Sequence, residues 1–159
     1  MGAGKSADCR AVLIAGVVAG VAATLAQILL WLAAGENVWA LLLRDAALTA
    51  ALVLGQAVRT TPATFDAGIM LAATGIHFAL SVIYAAVLLP VAKQLALIPS
   101  LLAGAGFGAL LYFVNLHGFT VMFPWFVEAR GWISLTAHLV FGITVMLIYR
   151  WPGTQAFSQ

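Results

Sequence analysis

The sequence predicts an all-α integral membrane protein, a four-helix bundle with an additional interfacial or re-entrant amphipathic helix at residues 37–59. The first observation is composition: of 159 residues, 64% are hydrophobic and only 8% are charged, whereas soluble domains carry roughly 25% charged residues. The second is size, because so short a chain cannot bury that much apolar surface in a soluble fold. The third is four apolar segments that each reach the ~20 residues a bilayer core requires.

Turn-forming residues mark where the four segments begin and end. Gly35 to Asn37 ends the first segment, and Thr60 to Pro62 precedes the second. Pro90 and Pro99 bracket the next turn, and Pro124 to Gly131 separates the last two segments. The first apolar run is too long for the core of a signal peptide and suits a retained membrane anchor. The predicted spans are 11–34, 67–92, 99–123 and 132–150, in one domain covering 1–159.

The segment 37–59 is long enough to span a bilayer, but it carries Arg44 and Asp45 near its middle. Its polar residues fall within one arc of about 140° on a helical wheel. This pattern is typical of a helix lying in the membrane interface, and it also fits a fifth span turned toward protein. A spanning helix would bury both charges at a cost of a few kcal/mol each. We therefore expect four spans, with this segment covering them as an outer lid.

Charge placement predicts the orientation of the chain. With four spans and the N-terminus inside, the inner side holds four Lys and Arg residues (Lys5, Arg10, Lys93 and Arg150) and the outer side three (Arg44, Arg59 and Arg130). Positive residues concentrate on the cytoplasmic side, so we expect a bacterial inner-membrane protein with both termini in the cytoplasm. The net charge of +2 comes without any basic run, so no nucleic-acid partner is expected.

Three of the four spans carry one polar stripe each. The residues recur three, four or seven positions apart, which puts each set on one helical face. The stripes are Gly20, Thr24, Gln27 and Trp31 in the first span, Thr74, His77, Ser81 and Tyr84 in the second, and Ser134, His138 and Gly142 in the fourth. The third span has two such faces, so we expect it to be the most enclosed. They are Gly104, Gly108, Leu111 and Asn115 on one side and Gly106, Phe113 and His117 on the other.

A candidate site follows from depth. At 1.5 Å per residue, Gln27, His77, Asn115, His117 and His138 all fall in the outer half of the membrane. Ionisable residues at such depth are expensive, and they usually face a bundle interior, a cavity or a cofactor. We therefore treat the three histidines as tentative cofactor-binding residues, and Gln27 and Asn115 as part of the same polar cluster.

Three interpretations of the histidines stay open. In the first, neutral imidazoles form ordinary hydrogen bonds between helices. In the second, His138 with His77 or His117 ligates a b-type haem, or all three converge within about 2.0–2.1 Å of a metal ion. No local spacing typical of a metal site supports the metal, and the cofactor stays unknown. In the third, the histidines relay protons or line an ion or quinone path, which a chain this small would form only as an oligomer.

Glycine spacing offers a further prediction about packing. Gly16 with Gly20, and Gly104 with Gly108, form Gly-x-x-x-Gly motifs that let helix backbones approach closely. Ordinary packing within the chain is the expected use of both motifs, and a dimer seam is the alternative.

Several stretches resemble a family of uncharacterised small bacterial integral membrane proteins with four spans. They cover roughly residues 60–150, and the resemblance implies the four-span architecture without assigning any activity. The stretches are Pro62-Ala63-Thr64-Phe65-Asp66, His77-Phe78-Ala79-Leu80-Ser81 with Tyr84, Val114-Asn115, Phe123-Pro124-Trp125-Phe126, and Ala137-His138-Leu139-Val140-Phe141-Gly142.

The leading functional hypothesis is a non-catalytic accessory subunit or assembly factor of a larger bacterial membrane complex, with a respiratory or similar redox assembly as host. Its partners would be the lipid bilayer and other membrane subunits. No Gly-x-Ser-x-Gly, phosphate-loop or His-Glu-x-x-His motif points to an enzyme. The alternatives are a haem- or metal-binding membrane protein that uses the three histidines, and an oligomeric channel or carrier.

Overall fold

The computed structural model describes residues 2–151, with side chains from Ser6 onward. In this range the chain forms five α-helices and no strand. They are α1 (Gly2–Ala33), α2 (Val38–Leu54), α3 (Ala67–Gln94), α4 (Leu97–Phe113) and α5 (Trp132–Arg150). Shorter helical turns connect them: 3-10 turns at Gln56–Val58, Phe119–Val121 and Pro124–Ala129, and a π-helical turn at Val114–Gly118.

The prediction of an all-α bundle with four membrane-spanning helices is confirmed. Four helices of the described chain are long and apolar enough to cross a bilayer: Ser6–Ala33, Ala67–Gln94, Leu97–Val121 and Trp132–Arg150. Helix α2 has 17 residues, or about 26 Å at 1.5 Å per residue, and is shorter than the ~20 residues of a typical span.

The helices differ from the predicted spans at several boundaries. Helix α1 begins at Gly2, so it extends beyond the predicted span, which starts at residue 11. The predicted turn between Pro90 and Pro99 shrinks to residues 95–96, and both prolines lie inside helices. Pro99 is in the first turn of α4, where a missing N–H costs little. The third span leaves α-helical geometry after Phe113, within its predicted range.

Local chemistry fixes the helix ends at the side of the bundle opposite the chain termini, which we call the outer side after the predicted orientation. Helix α1 stops in a Schellman arrangement: the N–H of Glu36 donates to Trp31 O at 3.0 Å, and that of Gly35 to Leu32 O at 3.1 Å. Gly35 has φ +73°, a backbone conformation that favours glycine. Asn37 then caps α2 by accepting from Ala40 N at 3.1 Å.

Helix α5 is the centre of the bundle, in contact with both α1 and α4, while α1 also packs against α3. This corrects the expectation that the third span is the most enclosed, since the last span buries the larger share of its residues. Small side chains mediate the closest contacts, as is usual between helices in lipid. The buried alanines that α1 and α3 contribute to the main core are Ala15, Ala19 and Ala23 on α1 and Ala85 and Ala92 on α3.

Both glycine motifs serve packing within the chain. A Cβ on Gly16 would lie 2.6 Å from Val82 Cα of α3. On α4, a Cβ at Gly104 or Gly108 would strike backbone atoms of Gly142 or His138 on α5. The prediction of ordinary internal packing is therefore confirmed, and this seam is not free to form a dimer.

Helix α2 lies in the outer half of the bundle. It meets α1 at Gln27, six residues before that helix ends, and α3 at Ala73, six residues after that helix begins. Each contact is therefore about 9 Å below the outer end of its span. A third contact of α2 is made by Trp125, which packs against Leu48. This position fits an additional helix that covers the spans without crossing the membrane.

Polar contacts tie the inner ends of the helices together. Lys93 at the end of α3 pairs with Asp8 of α1 at 2.7 Å. Arg150 at the end of α5 donates to Ala92 O at 2.8 Å, where a cation also complements the negative end of a helix dipole. These contacts join α1 and α5 to the same end of α3.

The exposed surface around the sides of the bundle is largely apolar. On α1 the exposed residues recur about every four positions and form one continuous stripe. They are Leu13, Val17, Val21, Leu25, Leu29 and Leu32. Large exposed apolar surfaces mark contact with a membrane or another protein, and together with four spanning helices this stripe fits a multi-pass protein surrounded by lipid.

Candidate functional site

The five predicted site residues do not form one cluster. The structure divides them among separate hydrogen-bond groups that share a depth but not a cavity. Two histidines, His77 and His138, are half-buried inside the bundle, whereas His117 is exposed. Gln27 and Asn115 each bond to a different helix. The five residues lie at a similar depth, as predicted, but their side chains do not converge on one site.

His77 on α3 faces α1. Its Nε2 lies 3.3 Å from Gly20 O and 3.4 Å from Thr24 Oγ1. The absence of a side chain on Gly20 makes room for the ring, because a Cβ there would lie 3.2 Å from Nε2. The predicted polar stripe on α1 therefore faces the protein and holds this imidazole between the first two spans.

His138 on α5 bonds to its own helix, with Nδ1 2.7 Å from Ser134 O. Its ring also packs edge-on against Tyr112 of α4, at 5.8 Å between centroids. His77 and His138 are thus each anchored to a backbone carbonyl.

His117 also lies near Tyr112, with 5.5 Å between the two ring centroids. It is exposed and stacks near Phe113 of its own helix, also at 5.5 Å. Nothing lies within 4 Å of a Cβ placed on Gly106. The second predicted face of the third span therefore points out of the bundle, and His117 is not brought together with the other two histidines.

Asn115 bonds across the bundle. Its Oδ1 accepts from Tyr84 Oη of α3 at 3.0 Å. Asn115 and His117 both lie in the π-helical turn Val114–Gly118, and such turns insert an extra residue and are frequent at functional sites. The altered spacing after Phe113 changes which way these two side chains point relative to a regular helix.

Gln27 anchors α2. Its Nε2 donates to Asp45 Oδ2 at 3.0 Å, while the other carboxylate oxygen accepts from Arg44 at 2.7 Å. Burial raises the pKa of Asp45 above its ordinary value, and the charge of neighbouring Arg44 opposes that rise. The amide of a membrane span and the charged pair of α2 thus form a polar joint between the two helices.

A pocket of about 190 Å³ opens beside this joint, at the outer end of the bundle. The last turn of α1, the middle of α2, the loop before α5 and the first turn of α5 supply its walls. Its polar and aromatic lining residues are Trp31, Glu36, Arg44, Glu128, Arg130 and Ser134. The volume exceeds what one water needs but is below the roughly 300 Å³ at which typical small-molecule sites begin.

The pocket connects to the histidines through α5. Ser134 lines the pocket, and its carbonyl oxygen accepts from Nδ1 of His138 one turn below. Gly131, also in the lining, donates its N–H to Tyr112 Oη at 3.2 Å, and Tyr112 packs on His138. The pocket lining thus reaches His138 directly through Ser134 and indirectly through Gly131 and Tyr112.

The described residues allow only limited metal chemistry. Between Gly2 and Trp151, no group of three His, Cys, Asp or Glu side chains is placed to hold a metal ion. A haem held by His77 and His138 remains a hypothesis for an absorption spectrum to test.

Replacing Asp45 by asparagine should change how stability depends on pH. Because the folded state holds this proton more tightly than the unfolded chain, the contribution of Asp45 is greatest below its ordinary pKa and declines as pH rises through the raised folded pKa. Asp45→Asn should remove that decline. Thermal unfolding of both proteins in detergent across this acidic range measures it, and parallel curves would contradict the assignment.

Sequence reasoning missed the charged residues of the pocket. Arg44, Glu128 and Arg130 were given no site role, because their convergence depends on how α2 folds back over the bundle. From their positions in the sequence, Trp31, Trp39, Trp125 and Trp132 are all expected at the outer membrane boundary, because indole rings prefer that level. Trp125 is in fact buried and donates from Nε1 to Leu48 O at 3.0 Å. No local pattern separates a buried interfacial tryptophan from an exposed one.

The chain matches no protein-family model, no curated protein and no solved structure. The resemblance to small four-span bacterial membrane proteins therefore stays a prediction from sequence. Beyond the four-span architecture, function has to be argued from the geometry of this molecule.

Proposed function

We propose that this multi-pass membrane protein is a non-catalytic accessory subunit or assembly factor of a larger membrane complex, with a respiratory assembly as the host to test first. The observation that carries the proposal is one face of the third span, which we call the α4 outer face. It comprises Leu102, Gly106, Leu110, Phe113 and His117.

The α4 outer face combines features of a helix-docking surface. Its members recur three or four residues apart and are all exposed. The notch at Gly106 has open space above it, and small residues let a second helix approach closely. His117 at the outer end presents ring nitrogens four residues before the span ends. Ionisable residues in spans usually face protein or water rather than lipid.

The partner that fits this face is a transmembrane helix of another protein. It would place a bulky apolar side chain over Gly106 and a hydrogen-bonding group near His117. The exposed stripe of α1 offers no comparable notch or polar group, which makes it the natural lipid-facing surface. An accessory role follows from this division, because one side of the bundle meets lipid and another meets a partner.

Site-specific photo-crosslinking in the source membrane tests the proposal. A photo-reactive amino acid at Leu110, which is 55% exposed, should capture one membrane protein that co-migrates with this chain on a native gel. The same group at Leu25 of α1, 53% exposed, is the matched control and should capture no protein. Gly106→Leu and His117→Leu should each weaken the Leu110 product without unfolding the chain.

Two results would overturn the accessory role. The first is that the photo-reactive group at Leu110 captures no protein and the chain migrates as a free monomer. The α4 outer face would then contact lipid and not a partner. Capture of a second copy of this chain would instead favour the oligomeric channel or carrier, which flux measurements in proteoliposomes would then address.

We further propose that the chain lies in the bacterial inner membrane with both termini in the cytoplasm. The excess of Lys and Arg on the side of the two termini supports this orientation. Cys9 is the only cysteine and is exposed, so an impermeant maleimide should label it in inverted vesicles and not in intact cells. Thr64→Cys in a Cys9→Ser background should show the opposite pattern; labelling of Cys9 from outside would reverse the orientation.

A further inference from the structure

The outer pocket holds two charges of opposite sign that have no charged partner. Arg44 is neutralised by Asp45, and Glu128 by Arg59. Arg130 bonds to Leu116 O at 2.7 Å and to Thr120 Oγ1 at 2.9 Å, both uncharged acceptors. No carboxylate among residues 6–151 forms an ion pair with it.

Glu36 supplies the opposite charge. It follows the end of α1 at the rim of the pocket, and within the described chain its carboxylate has no hydrogen-bond or ion-pair partner. Once the internal ion pairs are set aside, the pocket offers one guanidinium and one carboxylate. A ligand that matches both carries a negative and a positive group within one small unit.

The pocket lies at headgroup level. Its walls come from the last turn of α1 and the first turn of α5, which are the outer ends of two membrane spans. Leu29 and Leu32, on the last turns of α1, are exposed and apolar. Acyl chains therefore have apolar surface to follow just below the charged walls. The indole of Trp31 adds an aromatic wall of the kind enriched at membrane interfaces.

We propose that the outer pocket binds the zwitterionic headgroup of a phospholipid whose phosphate is linked to a primary ammonium, that is, phosphatidylethanolamine. The phosphate oxygens accept hydrogen bonds from Arg130, whose planar guanidinium suits phosphate geometry. The ammonium donates to Glu36. A volume near 190 Å³ accommodates a headgroup but not a whole lipid, so the acyl chains lie outside along the bundle.

Charge balance argues for this headgroup over others. An anionic headgroup such as phosphatidylglycerol would satisfy Arg130 and leave Glu36 unpaired beside a negative ligand. A choline headgroup carries a positive charge without N–H donors, so it cannot hydrogen-bond to the Glu36 carboxylate. A phosphate linked to a primary ammonium satisfies both protein charges, because the phosphate pairs with Arg130 and the ammonium with Glu36.

Native mass spectrometry of the full-length protein tests the site. The chain is purified in detergent and offered phosphatidylethanolamine, phosphatidylcholine or phosphatidylglycerol with identical acyl chains at equal concentration. We expect one phosphatidylethanolamine to be retained per chain, with about tenfold weaker retention of the other two. Equal retention of all three lipids would mean that lipid binds without headgroup preference, and this would overturn the proposal.

Two variants locate the binding. Glu36→Gln and Arg130→Gln should each lower retention of phosphatidylethanolamine about tenfold. Arg130 also holds the loop before α5, so Glu36→Gln is the decisive variant if Arg130→Gln misfolds, because the Glu36 side chain has no hydrogen-bond or ion-pair partner among the described residues. Arg10→Gln removes a positive charge at the inner end of α1 and serves as the matched control, with unchanged retention expected. Unchanged retention in Glu36→Gln would overturn the site.

Soluble glycerophosphoethanolamine distinguishes a lipid from a free phosphate ester. If the membrane lipid is the ligand, the soluble headgroup should compete only weakly, since it lacks the apolar contacts along α1. Stoichiometric binding of the soluble compound together with no retained lipid would assign the pocket to a free phosphate ester and overturn the lipid proposal. Neither result depends on the partner proposed for the α4 outer face.

Discussion

Gly142→Ala is expected to lower the free energy of unfolding by about 3 kcal/mol, or to prevent assembly of the bundle, although it adds a single methyl group. The new Cβ would strike the carbonyl oxygen of Gly104 and lie 2.8 Å from its carbonyl carbon and 3.1 Å from Gly108 N. These atoms belong to helix backbone, which cannot rotate away as a side chain can. Relief therefore requires α4 and α5 to separate.

Separation would be costly because α5 lies at the centre of the bundle. The same helix contributes Phe141, Val145 and Met146 to the core that α1 and α3 share. Moving α5 away from α4 would loosen both of its interfaces. Thermal unfolding in detergent, followed by circular dichroism or by loss of a monodisperse chromatographic peak, measures the effect.

Gly106→Ala is the matched control, because it makes the same change on α4 where no atom lies within 4 Å of the new Cβ. Its stability should stay close to that of the parent protein or rise slightly, as alanine is favoured over glycine in helices. Equal effects of the two substitutions would mean that helix propensity, and not close backbone packing, governs the response.

Trp125→Ala should release α2 from the bundle while the four spans stay assembled. Trp125 is only 7% exposed and packs against Leu48 and Ala51 of α2. Its indole N–H donates to Leu48 O, and the guanidinium of Arg59 lies 5.6 Å from its ring centroid. Removing a buried tryptophan costs about 3–5 kcal/mol, and here the loss falls on the docking of a single helix.

The release can be measured at Ala50, which is 0% exposed on the buried side of α2. In a Cys9→Ser, Ala50→Cys background, labelling by a water-soluble maleimide should be slow, and Trp125→Ala should accelerate it. Trp39→Ala is the control, since Trp39 is 57% exposed. Unchanged labelling in Trp125→Ala would show that other contacts hold α2 in place.

The sequence predicts a feature well when that feature depends on residues close together in the chain. The four spans followed from hydropathy and length, because the free energy of placing a segment in lipid is nearly a sum over its own residues. The last span was predicted at its observed limits, and Gly35 and Asn37 marked the end of α1 and the start of α2, because caps are local chemistry.

The candidate site was less predictable. The stripe containing Gly20, Thr24 and Gln27 does face protein, and His77 does meet it. The stripe did not reveal that Gln27 binds α2 instead of a histidine, because Asp45 lies on a helix whose position no periodicity defines. His117 was grouped with His77 and His138 by depth alone, although position around a helix axis matters as much as position along it.

Composition and local pattern by themselves determined that this chain is an all-α membrane protein with four spans, a further amphipathic helix and polar residues concentrated toward one end of the bundle. Only the tertiary structure decided which faces meet. It placed α5 at the centre, sealed α4 against it through Gly104, Gly108 and Gly142, and folded α2 over the outer pocket. Such choices depend on many weak contacts between residues far apart in sequence, and a pattern along one helix carries no information about its neighbours.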